Sequence, residues 1–291
     1  MTASSPLATP LVVVVTGASR GAGKGIALAL GSTGATVYVT GRSQQEGESP
    51  LPGTVFATAD EISRRGGRGI AVLCDHANDA EVKALFEQVE REQGRLDILV
   101  NNAISLPEEL TRKGPFWEKS LDMLSLLDVG MRSSYVASYY AAPLLLKSAC
   151  GLLVNTSSFG GRCYMHGPAY GAGKAAIDKM AHDMAVEFKP HGVAAVSLWL
   201  GLLKSERTLA VAANDPGLYG KALAMAESTE FAGRVIDALA RDTKRMERSG
   251  KVLVAAELAR EYGITDIDGK QPPSYRKALG DPTTFSDAIV D

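Results

Sequence analysis

Seven short runs rich in Val, Ile, Leu and Ala recur along the chain: LVVVVT at 11–16, ATVYVT at 35–40, GIAVLC at 69–74, LDILVN at 96–101, GLLVNT at 151–156, VAAVSLWL at 193–200 and GKVLVAA at 250–256. Several are apolar at consecutive positions. Side chains of a strand point alternately to its two faces, so a run without alternation predicts a strand covered on both sides. The stretches between them follow a helical period. Residues 79–93 set Val82, Leu85, Phe86 and Val89 on one face, with Asn78 or Asp79 as cap and Gly94 at the end. Residues 175–188 repeat the scheme with Ile177, Met180, Ala181, Met184, Ala185 and Phe188, until Pro190 and Gly192 stop the helix. Strands alternating with helices predict a doubly wound α/β fold with a parallel sheet of about seven strands and helices on both faces. Ligands of such sheets bind at the carboxyl ends of the strands. Residues 1–291 are expected to form one domain.

Two segments break the alternation. Residues 41–56, GRSQQEGESPLPGTVF, form a polar loop rich in Gly and Pro, and residues 202–228 follow the sixth strand without a clear period. The second is expected to be a substrate loop or lid, and residues 270–291 a C-terminal tail.

The first strand runs directly into TGASRGAGKG at 16–25, so that Gly17, Gly21 and Gly23, with Ser19, Arg20 and Ala22, lie between a strand and a helix. A glycine turn there lets backbone approach a pyrophosphate, and the helix N-terminus offers it unpaired N–H groups and partial positive charge. The spacing is G-x-x-x-G-x-G. At the end of the second strand the sequence VTGRS at 39–43 has no acidic residue for a ribose hydroxyl, whereas Arg42 there and Arg20 in the turn suit a 2′-phosphate. NADP(H) is therefore expected over NAD(H).

Composition narrows the field by exclusion. Hydrophobic residues at 45% and charged residues at 22% are globular proportions, and a formal charge of −2 leaves no electrostatic footprint for nucleic acid. Cys74, Cys150 and Cys163 make no C-x-x-C pair, and His76, His166, His182 and His191 show no ligand spacing, so no metal is expected. The start MTASSPLATP has no secretory pattern and no apolar run is long enough to span a membrane. A cytoplasmic location is the expectation.

In combination these residues resemble the short-chain dehydrogenase/reductase family. TGASRGAG resembles its glycine motif, Asp75 its adenine contact after the third strand, NNA at 101–103 its fourth-strand motif and YGAGK at 170–174 its Tyr-x-x-x-Lys. Two later stretches, SLWLGLLKS and SGKVLVAAELAREYGITDIDGK, resemble one branch of that family, to about residue 270. The likeness implies a Rossmann-type fold and oxidoreductase activity with a nicotinamide cofactor. It adds Asn101, Ala103, Gly201 and Leu203 to the cofactor set, gives Lys174 a second role on the nicotinamide ribose, and implies a homodimer or homotetramer built on the helices after strands four and five.

Chemically, a tyrosine with a pKa near 10 exchanges protons poorly at neutral pH. Lys174 one turn on, and an oxidised nicotinamide ring, would each favour the phenolate; moving that pKa to about 7 takes roughly 4 kcal/mol. Tyr170 is thus the expected general acid for carbonyl reduction and base for alcohol oxidation. A hydroxyl must also hold the substrate oxygen. Counting back thirteen from Tyr170, the family separation, reaches Ser157; counting along the strand favours Ser158, the preferred choice because loops absorb deletions more easily.

Three positions depart from the family pattern: Gly130 stands where an asparagine that helps hold a proton-relay water belongs, Ile104 where NNAG has glycine, and Leu200 where PG has proline. A relay held by backbone alone is the expected consequence of Gly130. The alternative is a dinucleotide-binding sensor or scaffold with a degraded site. Phe159, Met165, Leu202 and Leu203 flank the strand ends and point to an apolar carbonyl or alcohol substrate.

Overall fold

The structure, a computed structural model, describes residues 10–290; residues 1–9 and 291 of the expected domain lie outside the described part. Seven strands, β1 (Val12–Val15), β2 (Thr36–Gly41), β3 (Arg68–Leu73), β4 (Ile98–Asn101), β5 (Leu152–Ser157), β6 (Ala194–Trp199) and β7 (Val252–Val254), form one sheet in the order β3-β2-β1-β4-β5-β6-β7. Every pairing is parallel. The helices are α1 (Gly21–Gly31), α2 (Val55–Arg64), α3 (Asp79–Gln93), α4 (Ser133–Leu145), α5 (Pro168–Phe188), α6 (Glu206–Asn214), α7 (Pro216–Tyr219), α8 (Phe231–Arg241), α9 (Ala255–Tyr262) and the short α10 (Arg276–Leu279).

The consecutive apolar runs have a direct structural cause. Val13 and Val15 of β1 pack with Val37, Val39, Val154 and Val196 into a core closed by α1, α2, α8 and α9. Val12 and Val14 face the other way, into a second core with Leu99, Leu153 and Ala195 under α3, α4 and α5. With each buried Val or Leu side chain contributing about 1.5–3 kcal/mol, these two layers are what define the sheet.

Helix limits follow local chemistry. Asn78 caps α3, accepting from Ala80 N at 3.1 Å, and Gly94 ends it at φ 71°. Helix α5 begins earlier than its apolar period indicates, because Pro168 suits a first turn, and so Tyr170 and Lys174 lie on its first two turns. Strand seven is shorter than GKVLVAA, since Ala255 already opens α9. Within 202–228 the structure reveals α6, a helix with no fully buried residue. Leu203 bridges Glu227 in parallel fashion, which ties the two ends of that segment together.

Candidate active site

The glycine turn is built by close backbone approach. Gly17 has φ 64°, and a Cβ on it would stand 2.8 Å from Ala103 Cα. A Cβ on Gly23 would meet Gly17 O at 2.3 Å. Thr16 locks the turn to the end of β4: its Oγ1 accepts from Asn102 N at 2.8 Å and Ala103 N at 2.9 Å, while Asn102 Nδ2 donates to Thr16 O at 2.9 Å and Gly17 O at 3.1 Å. Helix α1 has no side-chain N-cap of its own. Instead Gly21 N donates to Glu206 Oε2 at 2.8 Å, an anion on the helix N-terminus. A helix N-terminus that holds a carboxylate in this way offers an anion the kind of backbone donor a pyrophosphate requires.

At the end of β2 the two arginines differ. Arg20 is spent on the 43–53 loop, donating to Ser43 Oγ and Ser49 Oγ at 2.8 Å, Gly53 O at 2.7 Å and Pro52 O at 3.1 Å. The loop packs closely on the turn, since a Cβ on Gly53 would reach Ser19 O at 2.4 Å and Arg20 Cβ at 3.2 Å. Arg42 is mostly exposed and only loosely paired with Asp75, at 3.9 Å. Ser19, Arg20, Arg42 and Asp75 thus gather beside the glycine turn. Asn101 does not join them through its side chain. Its amide is buried and donates to Ser138 Oγ and Asn155 Oδ1 at 2.9 Å and to Ser134 O at 3.3 Å, tying β4 to α4 and β5.

Strand five delivers the two serines to different places. Ser158 Oγ lies 2.9 Å from Tyr170 Oη and accepts from Gly160 N at 3.2 Å. Ser157 Oγ turns beneath α5 and donates to Lys174 O at 3.4 Å. A Cβ on Gly160 would stand 2.4 Å from Tyr170 Cε1, so the turn after β5 lies flat on the phenol ring. Lys174 is buried, donates from Nζ to Thr156 O at 3.1 Å and holds Nζ 5.8 Å from the Tyr170 ring centroid.

Electrostatics here run against the expectation for Tyr170. Burial pushes its phenol up, with the Ser158 hydrogen bond only partly opposing and Cys163 adding to the rise. With desolvation the largest influence, the phenol keeps its proton at neutral pH. Burial brings Lys174 down to about 8 against the opposing charge of Asp178.

This geometry has close parallels. The model of the short chain dehydrogenase family matches residues 11–215. The human protein named dehydrogenase/reductase SDR family member 1 is 44% identical over 275 residues, covering 91% of this chain and 85% of that one. Its mouse counterpart is 45% identical over 276 residues, with the same coverage. The chain belongs to the short-chain dehydrogenase/reductase family. Its membership makes it one of a family of oxidoreductases. Among solved structures, a short chain dehydrogenase from Mycobacterium thermoresistibile superposes with a TM-score of 0.75 at 22% identity, covering 91% of this chain and 92% of that one. YwfH, an NADPH dependent reductase involved in bacilysin biosynthesis, superposes at 0.70 with 17% identity, over 85% and 97%.

The departures from the family pattern acquire a physical meaning. Gly130 is more than a missing amide. It has φ 157° and ψ −72° inside a kinked π-helical stretch, Leu127–Arg132, a conformation that excludes side chains. It lines a small cavity with Ile104, Leu126, Tyr170, Gly173, Lys174 and Ile177; the space open to a water centre is about 10 Å³, close to what one water needs. Leu200 is buried at the end of β6. Gly201 beside it donates to Glu227 Oε2 at 3.2 Å, and a Cβ there would meet Glu227 Oε1 at 2.5 Å and Tyr275 Cε2 at 3.2 Å. Phe159 is core: it is 2% exposed and packs edge-on to Trp199 with ring centroids 4.8 Å apart, so it cannot line a substrate cleft.

Four residues of this dehydrogenase/reductase site escaped the motif analysis. His166, in the left-handed region at φ 59°, sets its ring edge-on to Tyr170 at 5.1 Å. Glu206 caps the glycine turn, Glu227 lies buried behind Gly201, and Asp178 lies buried one turn after Lys174 on α5. Asp178 carried a signal, an acid on the apolar stripe of α5; the other three depend on contacts between distant segments.

Proposed function

We propose that the protein is an NADP(H)-dependent oxidoreductase that interconverts a carbonyl and an alcohol, with Tyr170 as general acid/base. The single observation carrying this is the 2.9 Å approach of Ser158 Oγ to Tyr170 Oη, one turn from the buried Lys174. The nicotinamide, when bound, supplies or accepts the hydride. Gly17, Gly21, Ala22 and Gly23 hold the pyrophosphate through backbone, and Arg42, supported by Ser19 and the Arg20-ordered loop, favours a 2′-phosphate over a bare ribose hydroxyl. Asp75, Ala103, Gly201 and Leu203 complete the cofactor wall.

Ser158 donates to the substrate oxygen and fixes it against Tyr170. The phenol, held protonated by burial, gives its proton to that oxygen as negative charge develops there. Lys174 stabilises the phenolate left behind. Ile104, Leu126 and Tyr170, packed with Leu110 and Met123, provide an apolar wall that supports an apolar carbonyl substrate. Residues 202–228, tethered at Leu203 and Glu227, act as the substrate lid. Tyr135 and Tyr139, exposed on α4, support assembly as a homo-oligomer through that helix.

The test is NADPH consumption, read by absorbance over a panel of aldehydes and ketones, for the wild type and Tyr170→Phe. A fall of about 10²–10⁴-fold is expected. Full activity in Tyr170→Phe would refute the mechanism, and cofactor binding without turnover of any substrate would favour a sensor.

A further inference from the structure

Asp178 sits one turn beyond Lys174 on α5 and is 1% exposed. A carboxylate at that depth is costly unless other groups satisfy it. Two do, both from β6: Ser197 Oγ donates to Oδ1 at 2.6 Å and Trp199 Nε1 reaches both carboxylate oxygens at 3.0 Å. Burial pushes the Asp178 carboxyl up from its ordinary range, and these hydrogen bonds oppose the rise. The turn after β5 closes over the group, since a Cβ on Gly161 would stand 2.9 Å from Oδ2. An apolar residue would fill a purely structural position at lower cost, so a buried carboxylate clamped by β6 calls for a partner whose charge it serves.

That partner is on the same helix. Lys174 lies one turn from Tyr170 and one turn from Asp178 on α5, meets the Thr156 carbonyl and the Ser157 hydroxyl of β5, and has the apolar Ile104, Leu126 and Ile177 around its small cavity. Of these neighbours, Asp178 is the charged one that acts on it. The geometry points to Asp178 as a positioning residue: an immobile counter-charge that keeps the Lys174 ammonium protonated in dry surroundings, where it can serve the phenolate of Tyr170. This rests on the role proposed above for Tyr170 and Lys174. Burial already draws Lys174 down to about 8, so loss of the negative charge moves it further toward the neutral amine.

The measurement is the titration of Lys174 by NMR of protein labelled with ¹³C at lysine Cε, the resonance assigned with Lys174→Ala. In folded Asp178→Asn the midpoint is expected to drop by about one pH unit, a tenfold loss of proton affinity, with a corresponding loss of NADPH turnover that grows between pH 6.5 and pH 8. Ser197→Ala, which weakens the clamp and leaves the carboxylate, should move the midpoint the same way by less. An unmoved midpoint in folded Asp178→Asn overturns the proposal. If that variant does not fold, an unmoved midpoint in Ser197→Ala overturns it. The titration is read without turnover, so full activity in Tyr170→Phe would sink the reaction mechanism while leaving the Lys174–Asp178 coupling to be judged on its own.

Discussion

Ser158 Oγ and Tyr170 Oη stand 2.9 Å apart, while Ser157, one residue earlier, spends its hydroxyl beneath α5 on Lys174 O. Strand alternation sends neighbouring side chains to opposite sides, so only one of the two can meet the phenol. Ser158→Ala should therefore lower kcat/KM for NADPH-dependent reduction by about 10²–10³-fold. Ser157→Ala should stay within a few-fold of wild type and lose about 1 kcal/mol of stability instead. Equal losses of activity in the two variants would contradict the assignment.

In the proposed reading cofactor choice turns on Arg42, the guanidinium left exposed once Arg20 is consumed by the 43–53 loop. Hydrogen bonds to charged groups contribute about 1.5–3 kcal/mol, roughly ten- to a hundredfold in affinity. Arg42→Ala should raise the Kd for NADPH by that factor, measured by fluorescence titration, and leave NADH nearly unchanged. A parallel loss for both dinucleotides would show that Arg42 does not read the 2′-phosphate.

Restoring the family asparagine at Gly130 should harm this protein. The backbone there, φ 157° and ψ −72°, is closed to side chains, although a Cβ would meet Ile104 Cγ1 only in ordinary contact at 3.5 Å. Strain of about 1–3 kcal/mol is expected in Gly130→Asn, seen as a lower Tm and a lower urea midpoint. A variant as stable as wild type and faster in turnover would mean that the kink is not required and the amide is.

Burial and the nearby Asp266 hold the Glu227 carboxyl up at about 8, with the Gly201 N–H opposing. A folded pKa above the unfolded one means that the native state binds the proton more tightly. The contribution to stability is present in full below the ordinary carboxyl range and is lost as pH rises through about 8. Glu227→Gln, which keeps the shape without the charge, should remove this loss. Its stability relative to wild type should rise between pH 5 and pH 9 by on the order of 3–5 kcal/mol at most, seen as a rise in relative Tm. Parallel Tm profiles would refute the assignment.

The sheet was legible in the chain because burial on both faces leaves unbroken apolar runs such as VVVV at Val12–Val15, and the glycine turn because backbone approach admits one residue type at Gly17 and Gly23. The motif around Tyr170 was legible for a related reason: Tyr170 and Lys174 lie on one helix, where spacing is geometry. Local order of this kind is what an amino-acid sequence determines unaided. Contacts between remote segments are different. That Glu206 reaches Gly21, that Asn101 turns inward to Asn155, that Phe159 is core and that Asp178 meets Ser197 and Trp199 were decided by the packing of the chain. Even the direction of the Tyr170 shift depended on it, since desolvation is a property of everything that surrounds the phenol and of no single neighbour in sequence.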